Sequence, residues 1–519
     1  MPQIGRMVAV LLRISLLGCL WMCLLGSSCQ PDIAGLLPTG DEAPPPDPAG
    51  VTLMARFVHV TDSHVVDPLS PARFPGIQSF VPFSWRPWEA YSTQVFDGII
   101  RTTNAMHAAG RTIDFVLHTG DAIDNAQANE LAWFVAIMDG GTVNPLSGPD
   151  DRLVDARPTP LLDPYAPFEA QGLYQFGIHG DRPTILWYGL MGNHEIFCGG
   201  AYPIVRVDDR KIAPLPLNCR PGFVLPVNLD PLADIAYGPV SPAHPGPPPL
   251  LSCPVPVQPN SERAFISSSD FIRAMRASPT QPSGHGFGDG DHELPYYSVL
   301  PIPGLRLIGL LTSDIPAPIP AFISYSKGCI SAEQLAWFRS ELEQATANGE
   351  KVIVATHHRS GNLETLYGSV VGPGEFRDLL NQYPAVILHL NGHEHTNRVW
   401  QRGHYLEIST CGTIDWPQEA RVIELWQDNA TGEIIISYDM FSHVDDRWPM
   451  IGDDLLRPLR EQALSMANDY SPILKLLLQM GVASKSLEPS SSSSSSEDDD
   501  FLANPAGTPT DRTGQIRVP

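Results

Sequence analysis

Five short segments rich in His, Asp and Asn each directly follow an apolar, β-branched stretch of the chain. They are Asp62-Ser63-His64, Gly120-Asp121, Gly192-Asn193-His194-Glu195, Thr356-His357-His358 and Gly392-His393-Glu394-His395. Such apolar stretches predict buried β-strands. Because strands alternate with helical segments and antiparallel strands lie between them, the pattern predicts two packed mixed sheets with helices outside. The five segments then lie at the carboxyl ends of strands, where open α/β sheets place their sites.

The spacing of the side chains within two of these segments is typical of metal ligands. Asp62 and His64 are two residues apart, which places them on the same side of an extended chain, where they can hold one ion together. His393 and His395 have the same spacing and the same predicted geometry. Glu394 lies between them and is therefore expected to point away, as a solvated or supporting carboxylate.

The remaining segments supply what a second, adjacent ion needs. Asp121 is the one carboxylate placed to bridge two ions, Asn193 offers a neutral amide oxygen, and His357 completes the second ion. Two divalent metals about 3.5–4 Å apart can clamp the attacking and leaving oxygens of a phosphoryl transfer. Mixed imidazole, amide and carboxylate ligands accept iron, manganese or zinc, and the sequence does not select among them.

These segments, in this order, resemble the calcineurin-like metallophosphoesterase superfamily over residues 56–411, and the chain resembles an exported bacterial member. The resemblance implies an α+β or α/β, four-layer metallophosphoesterase-type fold. In it, two mixed β-sheets form a sandwich with flanking helices, here with long Pro-rich insertions. The first metal would be held by Asp62, His64, Asp121 and His395. The second metal would be held by Asp121, Asn193, His357 and His393.

The resemblance also implies the hydrolysis of a phosphate ester, either a monoester or a diester, by a hydroxide that bridges the metals. Asp121 and His194 are the expected catalytic residues, with His194 near the leaving oxygen as a general acid or a stabiliser of the transition state. The expected substrate is a phosphorylated small molecule; a pyrophosphate or a phospholipid head group remains open. The alternative is a non-enzymatic cell-surface protein that binds a metal or ligand on the same fold.

Three residues beside the predicted ligands have more than one interpretation. Arg359 follows the paired histidines, where the family often has proline; it contacts a substrate phosphate or is a surface arginine. Asp124 and Asn125 follow the bridging carboxylate. They cap the next helix or support the metal ligands, with capping favoured for Asn125.

The charge of the chain argues against nucleic acid as a partner. The formal net charge is -24 and the pI is about 4.9, which repels nucleic-acid backbones and anionic lipid head groups. A small phosphorylated substrate can still bind, because bound metals set the local potential inside a site.

The N-terminus has the pattern of an export signal. Arg6 and Arg13 precede or flank an apolar region over 14–25, and small residues then lead to Cys29. Residues 1–29 are expected to be a signal of the lipoprotein type with Cys29 lipidated; an ordinary cleaved signal is the other interpretation. Residues 30–50 form a Pro-rich tether. We therefore expect an exported protein, anchored to a membrane only through the lipid, or periplasmic or extracellular.

The rest of the chain is predicted to be one domain, 51–485, interrupted by a Pro-rich insertion over 196–292. An insertion of that length is usually functional or a subdomain, and it is expected to shape access to the metals. Export permits disulfides, and Cys198–Cys219 is the expected pair, with free buried cysteines as the alternative. Residues 486–519 contain a serine run followed by acidic residues and are predicted to be disordered.

Overall fold

The computed structural model describes most of the predicted domain. The described residues are 44–70, 86, 88–148, 162–207, 210–213, 227–228, 260–288, 293–315, 326–450, 455–461, 463–464 and 504–519, and all belong to one compact unit, Gly40–Pro519. The predicted signal with Cys29 lies outside them, as do Cys219 and Cys253, so the expected disulfide is not described. Within the described ranges, no helix combines the length and the apolar character needed to span a membrane.

Nineteen strands and six α-helices have both ends in these ranges, and residues 455–461 are helical as well. The strands are β1 Val51–Val60, β2 Phe115–His118, β3 Gly141–Val143, β4 Phe168–Ala170, β5 Leu186–Gly189, β6 Phe197–Cys198, β7 Tyr202–Pro203, β8 Val205–Val207, β9 Arg210–Ala213, β10 Val227–Asn228, β11 Tyr297–Ile302, β12 Leu305–Gly309, β13 Lys351–Ala355, β14 Val386–Asn391, β15 Arg398–Arg402, β16 Tyr405–Ser409, β17 Glu419–Asp428, β18 Ile434–Ser442 and β19 Gly514–Val518. The helices are α1 Ser92–Ala108, α2 Ala128–Asp139, α3 Ser268–Ala277, α4 Ala332–Asn348, α5 Pro373–Asn381 and α6 Pro509–Arg512.

Two six-stranded mixed sheets carry the fold. The first has the strand order β19-β18-β17-β1-β2-β5 and the second has the order β11-β12-β13-β14-β16-β15. In the first, β1, β2 and β5 run parallel, and in the second β12, β13, β14 and β16 run parallel. Parallel strands end at the same edge of a sheet, so each sheet gathers the segments that follow its parallel strands at one edge. The predicted sandwich of mixed sheets is confirmed.

The packing of β13 shows why the sheets stack with helices outside. Side chains of a strand point alternately to its two faces. Ile353 belongs to the large buried cluster that also contains Phe57 of the first sheet. Val352 and Val354 instead belong to a second cluster, in which they meet Phe338 of α4 and residues of α5. One face of the second sheet therefore packs in the same core as the first sheet, and the other face is covered by α4 and α5.

Short regular elements also lie between the strands of the two main sheets. Within 140–183, β3 and β4 pair as an antiparallel ladder. Within the insertion 196–292, α3 begins with a capping box in which the Ser267 side chain accepts from the Asp270 backbone and the Asp270 carboxylate accepts from the Ser267 backbone. That Ser-x-x-Asp pattern was available in the sequence, but the surrounding prolines obscured it.

The predicted disordered tail, 486–519, is wrong for residues 504–519. These residues form α6 and β19, and β19 pairs antiparallel with β18. The segment is also fixed through buried charges, because Arg512 donates to both carboxylate oxygens of Glu419 at 2.8 and 2.9 Å. Its order comes from tertiary contacts, which the polar composition of the preceding serine run does not reveal.

Loss of the Arg512 side chain is expected to destabilise the domain. Arg512→Ala removes one of the guanidinium groups that balance the charge of the Glu419 carboxylate, which is 1% exposed. Removing one partner of a buried ion pair costs about 3–5 kcal/mol. Arg460 also contacts Glu419 and keeps the expected loss near the lower end, about 3 kcal/mol of unfolding free energy, measurable by urea denaturation.

Arg517 on the same terminal segment provides the matched control. It pairs with Asp428 and Glu433 at the surface, at 2.7 and 2.8 Å, and exposed pairs contribute little. Arg517→Ala should leave the denaturation midpoint unchanged. An unchanged midpoint for Arg512→Ala would show that the buried pair with Glu419 does not contribute to the stability of the domain.

Candidate metal centre

All five predicted segments meet at the carboxyl edges of the two sheets. They begin one to three residues after the ends of β1, β2, β5, β13 and β14. Backbone hydrogen bonds join the loops: Asp62 N donates to Gly120 O, and Gly392 N donates to His357 O. The expectation that these segments follow the ends of strands and lie together is therefore confirmed.

Several side chains of this site sit on strained backbone. The residues with left-handed φ angles here are Asp62 at 51°, His64 at 41°, Asp121 at 51°, His393 at 71° and His395 at 52°. For residues other than glycine this conformation costs about 1–2 kcal/mol each. Such strain persists where the surrounding structure enforces it, and it concentrates at functional sites. The loops are thus shaped by the geometry of the site rather than by local preference.

The spacing argument for Asp62 with His64 and for His393 with His395 is only partly right, whereas the resemblance assigned His393 and His395 to different metals. Asp62 and His64 do lie in one group of metal-ligating side chains, although their backbone is not extended. His393 and His395 do not share a group, since His395 joins Asp62 while His393 joins a different carboxylate. The left-handed backbone at both histidines turns their side chains apart, which the alternation of an extended strand would not do.

The first group consists of Asp62, His64 and His395, whose ligand atoms all lie within 4.8 Å of one another. His395 Nε2 is 3.3 Å from Asp62 Oδ1, and His64 Nε2 is 3.8 Å from the same oxygen. The Nε2 atoms of His64 and His395 are 3.0 Å apart. Three donor atoms therefore converge on one small volume.

The second group consists of Asp121, His357 and His393, also within 4.8 Å. His357 Nε2 is 3.0 Å from Asp121 Oδ2. Asn193 adds an amide oxygen, since its Oδ1 is 3.0 Å from His393 Nδ1. Asp121 Oδ2 is also 3.8 Å from His64 Nε2, so this carboxylate lies between the two groups, where a bridging ligand would be.

The rings of the two groups are held by partners on their outer nitrogens. His64 Nδ1 is 2.9 Å from Asp124 Oδ1, and His357 Nδ1 donates to Thr119 O at 2.9 Å. His395 Nδ1 is 2.6 Å from Asp415 Oδ2. Metal-ligating histidines typically bind a carboxylate or carbonyl in this way, which leaves Nε2 unprotonated and directed at the ion.

Asp415 and Arg86 are site residues that the sequence analysis missed. Arg86 forms a bidentate pair with Asp415, with nitrogen–oxygen distances of 2.6 and 2.7 Å, and its Nη1 is 4.0 Å from Asp124 Oδ1. One buried guanidinium thus lies beside both carboxylates that hold His64 and His395. Asp415 follows β16, another parallel strand, and this position after a strand could have identified it from the sequence. No comparable sequence pattern marks Arg86.

Asp415→Asn is expected to weaken the first group as a metal site. The amide cannot hold His395 Nδ1 and Arg86 as the carboxylate does, so the ring loses its orientation. Replacing such an orienting partner typically costs 10–100-fold in metal affinity, and a loss of about that size is expected in a calorimetric titration of the metal-free protein with Mn²⁺. The affinity of the second group should stay unchanged; a uniform loss at both would contradict the assignment.

His194 lies beside both groups, and with His64 and Asp121 it forms a third set of possible ligand atoms within 4.8 Å of one another. Its Nδ1 donates to Asp124 O at 2.6 Å, and its Nε2 is 3.8 Å from Asp121 Oδ2. The ring is edge-on to His64, with centroids 4.4 Å apart. The side chain is 18% exposed, so part of the ring faces solvent.

Glu195, the last residue of its segment, organises the loops from behind. Its carboxylate accepts from the backbone nitrogens of Gly192 at 2.6 Å, Asp121 at 3.0 Å and Ile123 at 3.1 Å. Burial, followed by the charge of Asp121, raises the pKa of Glu195 to about 7. The residue is 1% exposed and joins the β2 loop to the β5 loop.

The glycine that opens the Asn193 segment is required by the close packing of these loops. A Cβ atom at Gly192 would lie 2.7 Å from the Asp121 backbone nitrogen and closer still to the Asp121 carboxylate. A side chain here would therefore displace the carboxylate that lies between the two groups.

The structure shows the surroundings of Arg359, Asn125 and Asp124, the three residues with more than one interpretation. Arg359 is not a surface arginine: it is 7% exposed and pairs with Glu394 at 2.6 Å. Glu394 thus faces away from the two groups, as expected.

Capping by Asn125 is wrong, because the N-cap of α2 is Gln127 and Asn125 Nδ2 instead donates to Glu130 at 2.7 Å. Asp124, by contrast, supports His64.

The charges around the rings favour a bound cation. Burial opposes protonation of His357, but the carboxylates of Asp121 and Asp62 outweigh it and raise its pKa to about 9. Burial opposes protonation of His395 as well, yet Asp62 and Asp415 raise its pKa to about 10. The carboxylates therefore impose a negative potential at these two rings, whereas burial lowers the pKa of His393 to about 3. A metal ion bound there would take the place of these protons, because imidazole ligands bind metals in the neutral form.

The residues present fit a pair of metal ions. His357 Nε2 is buried and makes no hydrogen bond within the described part of the chain, although Asp121 Oδ2 is only 3.0 Å away. A cation that contacts both atoms would satisfy them. Imidazole nitrogens with carboxylate and amide oxygens are ligands that suit iron, manganese or zinc.

Comparison with known proteins gives the family. A family model for the calcineurin-like phosphoesterases matches residues 55–397, which is more than half of the 519 residues. The chain therefore belongs to the calcineurin-like phosphoesterase family, and the resemblance seen in the sequence is confirmed. Membership implies a metal-dependent hydrolase of phosphate esters with two metal ions. A search of curated proteins gives no match.

Solved structures match the chain at low identity and low TM-score. A dimetal phosphatase from Danio rerio is 12% identical, with a TM-score of 0.38, and the match covers 76% of this chain and 98% of that one. GAP50, the anchor in the inner membrane complex of Plasmodium, is 10% identical with a TM-score of 0.34, covering 77% and 87%. The sulfate thiohydrolase SoxB of Thermus thermophilus is 10% identical with a TM-score of 0.34, covering 81% and 62%.

Proposed function

We propose that the protein hydrolyses a phosphorylated small molecule, a monoester or a diester, at a two-metal centre formed by the two groups. The observation that carries this proposal is the position of Asp121, whose Oδ2 lies 3.0 Å from His357 Nε2 and 3.8 Å from His64 Nε2. One carboxylate between two sets of imidazoles suits a bridging ligand. Asp62, His64 and His395 would complete one site, and Asn193, His357 and His393 the other.

The chain's own residues prepare the reaction. A bound pair of such ions supplies Lewis acidity to the phosphoryl group and a nucleophile from water at neutral pH. Asp124, Thr119 and Asp415 hold the imidazole rings by their outer nitrogens, so little reorganisation is needed when substrate binds. The strained loops are fixed before the substrate arrives.

His194 is placed to act on the leaving group. A carbonyl oxygen only accepts, so the bond from Nδ1 to Asp124 O requires a hydrogen on Nδ1. Nε2 then carries a hydrogen only in the charged ring. Burial lowers the pKa of His194 to about 4, although the Asp121 carboxylate opposes this shift. An anionic phosphate group beside Nε2 would favour the charged ring further, which could then protonate the leaving oxygen.

The test is hydrolysis of paired aryl phosphate monoesters and diesters by the purified full-length chain. The protein is made metal-free with a chelator and assayed with and without added Mn²⁺. Mn²⁺ should restore turnover of at least one ester class, and the preferred class identifies the substrates to screen next. The second candidate, a non-enzymatic binding protein, is favoured instead if two Mn²⁺ ions bind and neither ester is hydrolysed by any preparation.

The contacts of Arg359 favour a structural role over binding of the substrate phosphate. Its guanidinium is already neutralised by Glu394 at 2.6 Å and lies 5.7 Å from the Trp400 ring centroid. We propose that it positions the loop after His358. Arg359→Ala should then change turnover without a selective rise in KM; a KM effect alone would restore the substrate-binding role.

We also propose export with lipidation at Cys29, a proposal that rests on the sequence alone. The charged start, the apolar region over 14–25 and the tether over 30–50 support it. Mass spectrometry of the N-terminal peptide from expressed protein provides the test. A diacylglyceryl modification on Cys29 is expected; an unmodified N-terminus produced by cleavage elsewhere would support an ordinary secretory signal.

A further inference from the structure

The start of the insertion 196–292 reaches into the metal centre. Strands β6 and β7 form a short hairpin, in which Phe197 pairs with Pro203 and Cys198 with Tyr202. Its turn contains Gly199 and Gly200, with φ angles of 54° and 67°. Gly200 is buried, whereas Gly199 is half-buried. The two glycines share the left-handed backbone but differ in what lies next to them.

The carbonyl of Gly200 contacts Asn193 directly. Asn193 Nδ2 donates to Gly200 O at 2.8 Å, while Asn193 Oδ1 lies 3.0 Å from His393 Nδ1. If the amide were reversed, its oxygen would face the Gly200 oxygen, and two acceptors would repel each other. The carbonyl therefore selects the amide orientation that directs oxygen, rather than nitrogen, toward the second group.

The missing side chain of Gly200 leaves room for His194. A Cβ atom there would lie 2.6 Å from Asn193 Nδ2 and would overlap the His194 ring. A Cβ at Gly199 would meet nothing within 4 Å. The two positions thus separate the cost of a left-handed backbone, which both share, from a collision with site residues, which only Gly200 makes.

We propose that Gly200 is a positioning residue of the metal centre, acting through the Asn193 amide and the His194 ring. Its carbonyl orients a metal-ligand oxygen and its lack of a side chain sets the place of His194. The insertion is thereby a structural part of the centre. This inference rests on the proposed two-metal function, because it concerns how one ligand of that centre is held.

The test compares Gly200→Ala with Gly199→Ala by calorimetric titration of each metal-free protein with Mn²⁺. Gly200→Ala should weaken the site that contains Asn193 by about 10–100-fold, because the new Cβ would strike the Asn193 amide and move it from the carbonyl that orients it. The site that contains Asp62 and His395 should be unchanged. Gly199→Ala should bind both ions as the natural protein does. Equal isotherms for the two variants would overturn the proposal.

A second background keeps the test decisive if Gly200→Ala folds poorly. Gly200→Ala is introduced into His194→Ala, which removes the ring that the new Cβ would strike. Thermal unfolding of the metal-free proteins should show a much smaller loss from Gly200→Ala in this background than in the natural one. The same loss in both backgrounds would overturn the collision with His194. If the natural protein itself bound no Mn²⁺, the proposed function would fail first, and that outcome is separate from either comparison.

Discussion

Asp121→Asn is expected to lower kcat/KM for the preferred aryl phosphate by at least about 10³-fold, because it disturbs both proposed sites at once. Asp121 Oδ2 faces His357 on one side and His64 on the other. Its Oδ1 also accepts from the His194 backbone nitrogen at 2.8 Å. An amide has one oxygen fewer and no charge, so it can neither bridge two cations nor compensate them.

Elemental analysis of the same variant should show fewer than two ions per chain. Asp439→Asn is the matched control: Asp439 is another buried carboxylate, 1% exposed, on β18, and its partners are Arg111 and Arg447. This variant should lose stability while keeping its metal content and its turnover per folded chain. Full metal content and near-natural turnover in Asp121→Asn would show that the carboxylate does not bridge.

His194→Ala is expected to have the second largest effect, with a different signature. The variant should keep both metals, because His194 lies beside the two groups and the proposed ligands are unchanged. Turnover should fall by about 10²–10³-fold, the usual contribution of a positioned acid or hydrogen-bond donor. Stopped assays of turnover and elemental analysis of the same preparation measure both quantities.

The choice of substrate separates the two roles proposed for His194. A general acid matters most when the leaving group is poor, so the loss should be larger for an alkyl phosphate than for a nitrophenyl phosphate. Equal losses for both would assign His194 to stabilising charge on the phosphoryl oxygens. Unchanged turnover with both would show that the ring takes no part in the reaction.

The strand ends and the residues on them were accessible from the sequence, because each segment follows an apolar stretch long enough to be a buried strand. The separation of His393 from His395 was implied by the family resemblance, which assigns them to different metals. Their spacing did not predict it, since it depends on left-handed backbone at both residues, which their intrinsic preferences oppose. The sequence spacing alone would have placed both rings on the same face.

Residues that affect the metal centre only through other residues were the hardest to predict from the sequence. Arg86 lies in a segment without a clear period, and only tertiary packing brings it beside Asp415, 329 residues later. Gly200 lies in a Pro-rich insertion and has no chemical group of its own to attract notice. The order of 504–519 comes from pairing with β18 and from the contact between Arg512 and Glu419, so composition alone predicts the opposite.

The most direct test of the two-metal account measures bound Mn²⁺ and aryl phosphate hydrolysis in one titration of the metal-free, full-length protein. The account predicts two ions per chain, with hydrolysis appearing only as the second ion binds, since Asp121 must serve both sites. Hydrolysis that persists undiminished in the metal-free protein would contradict it.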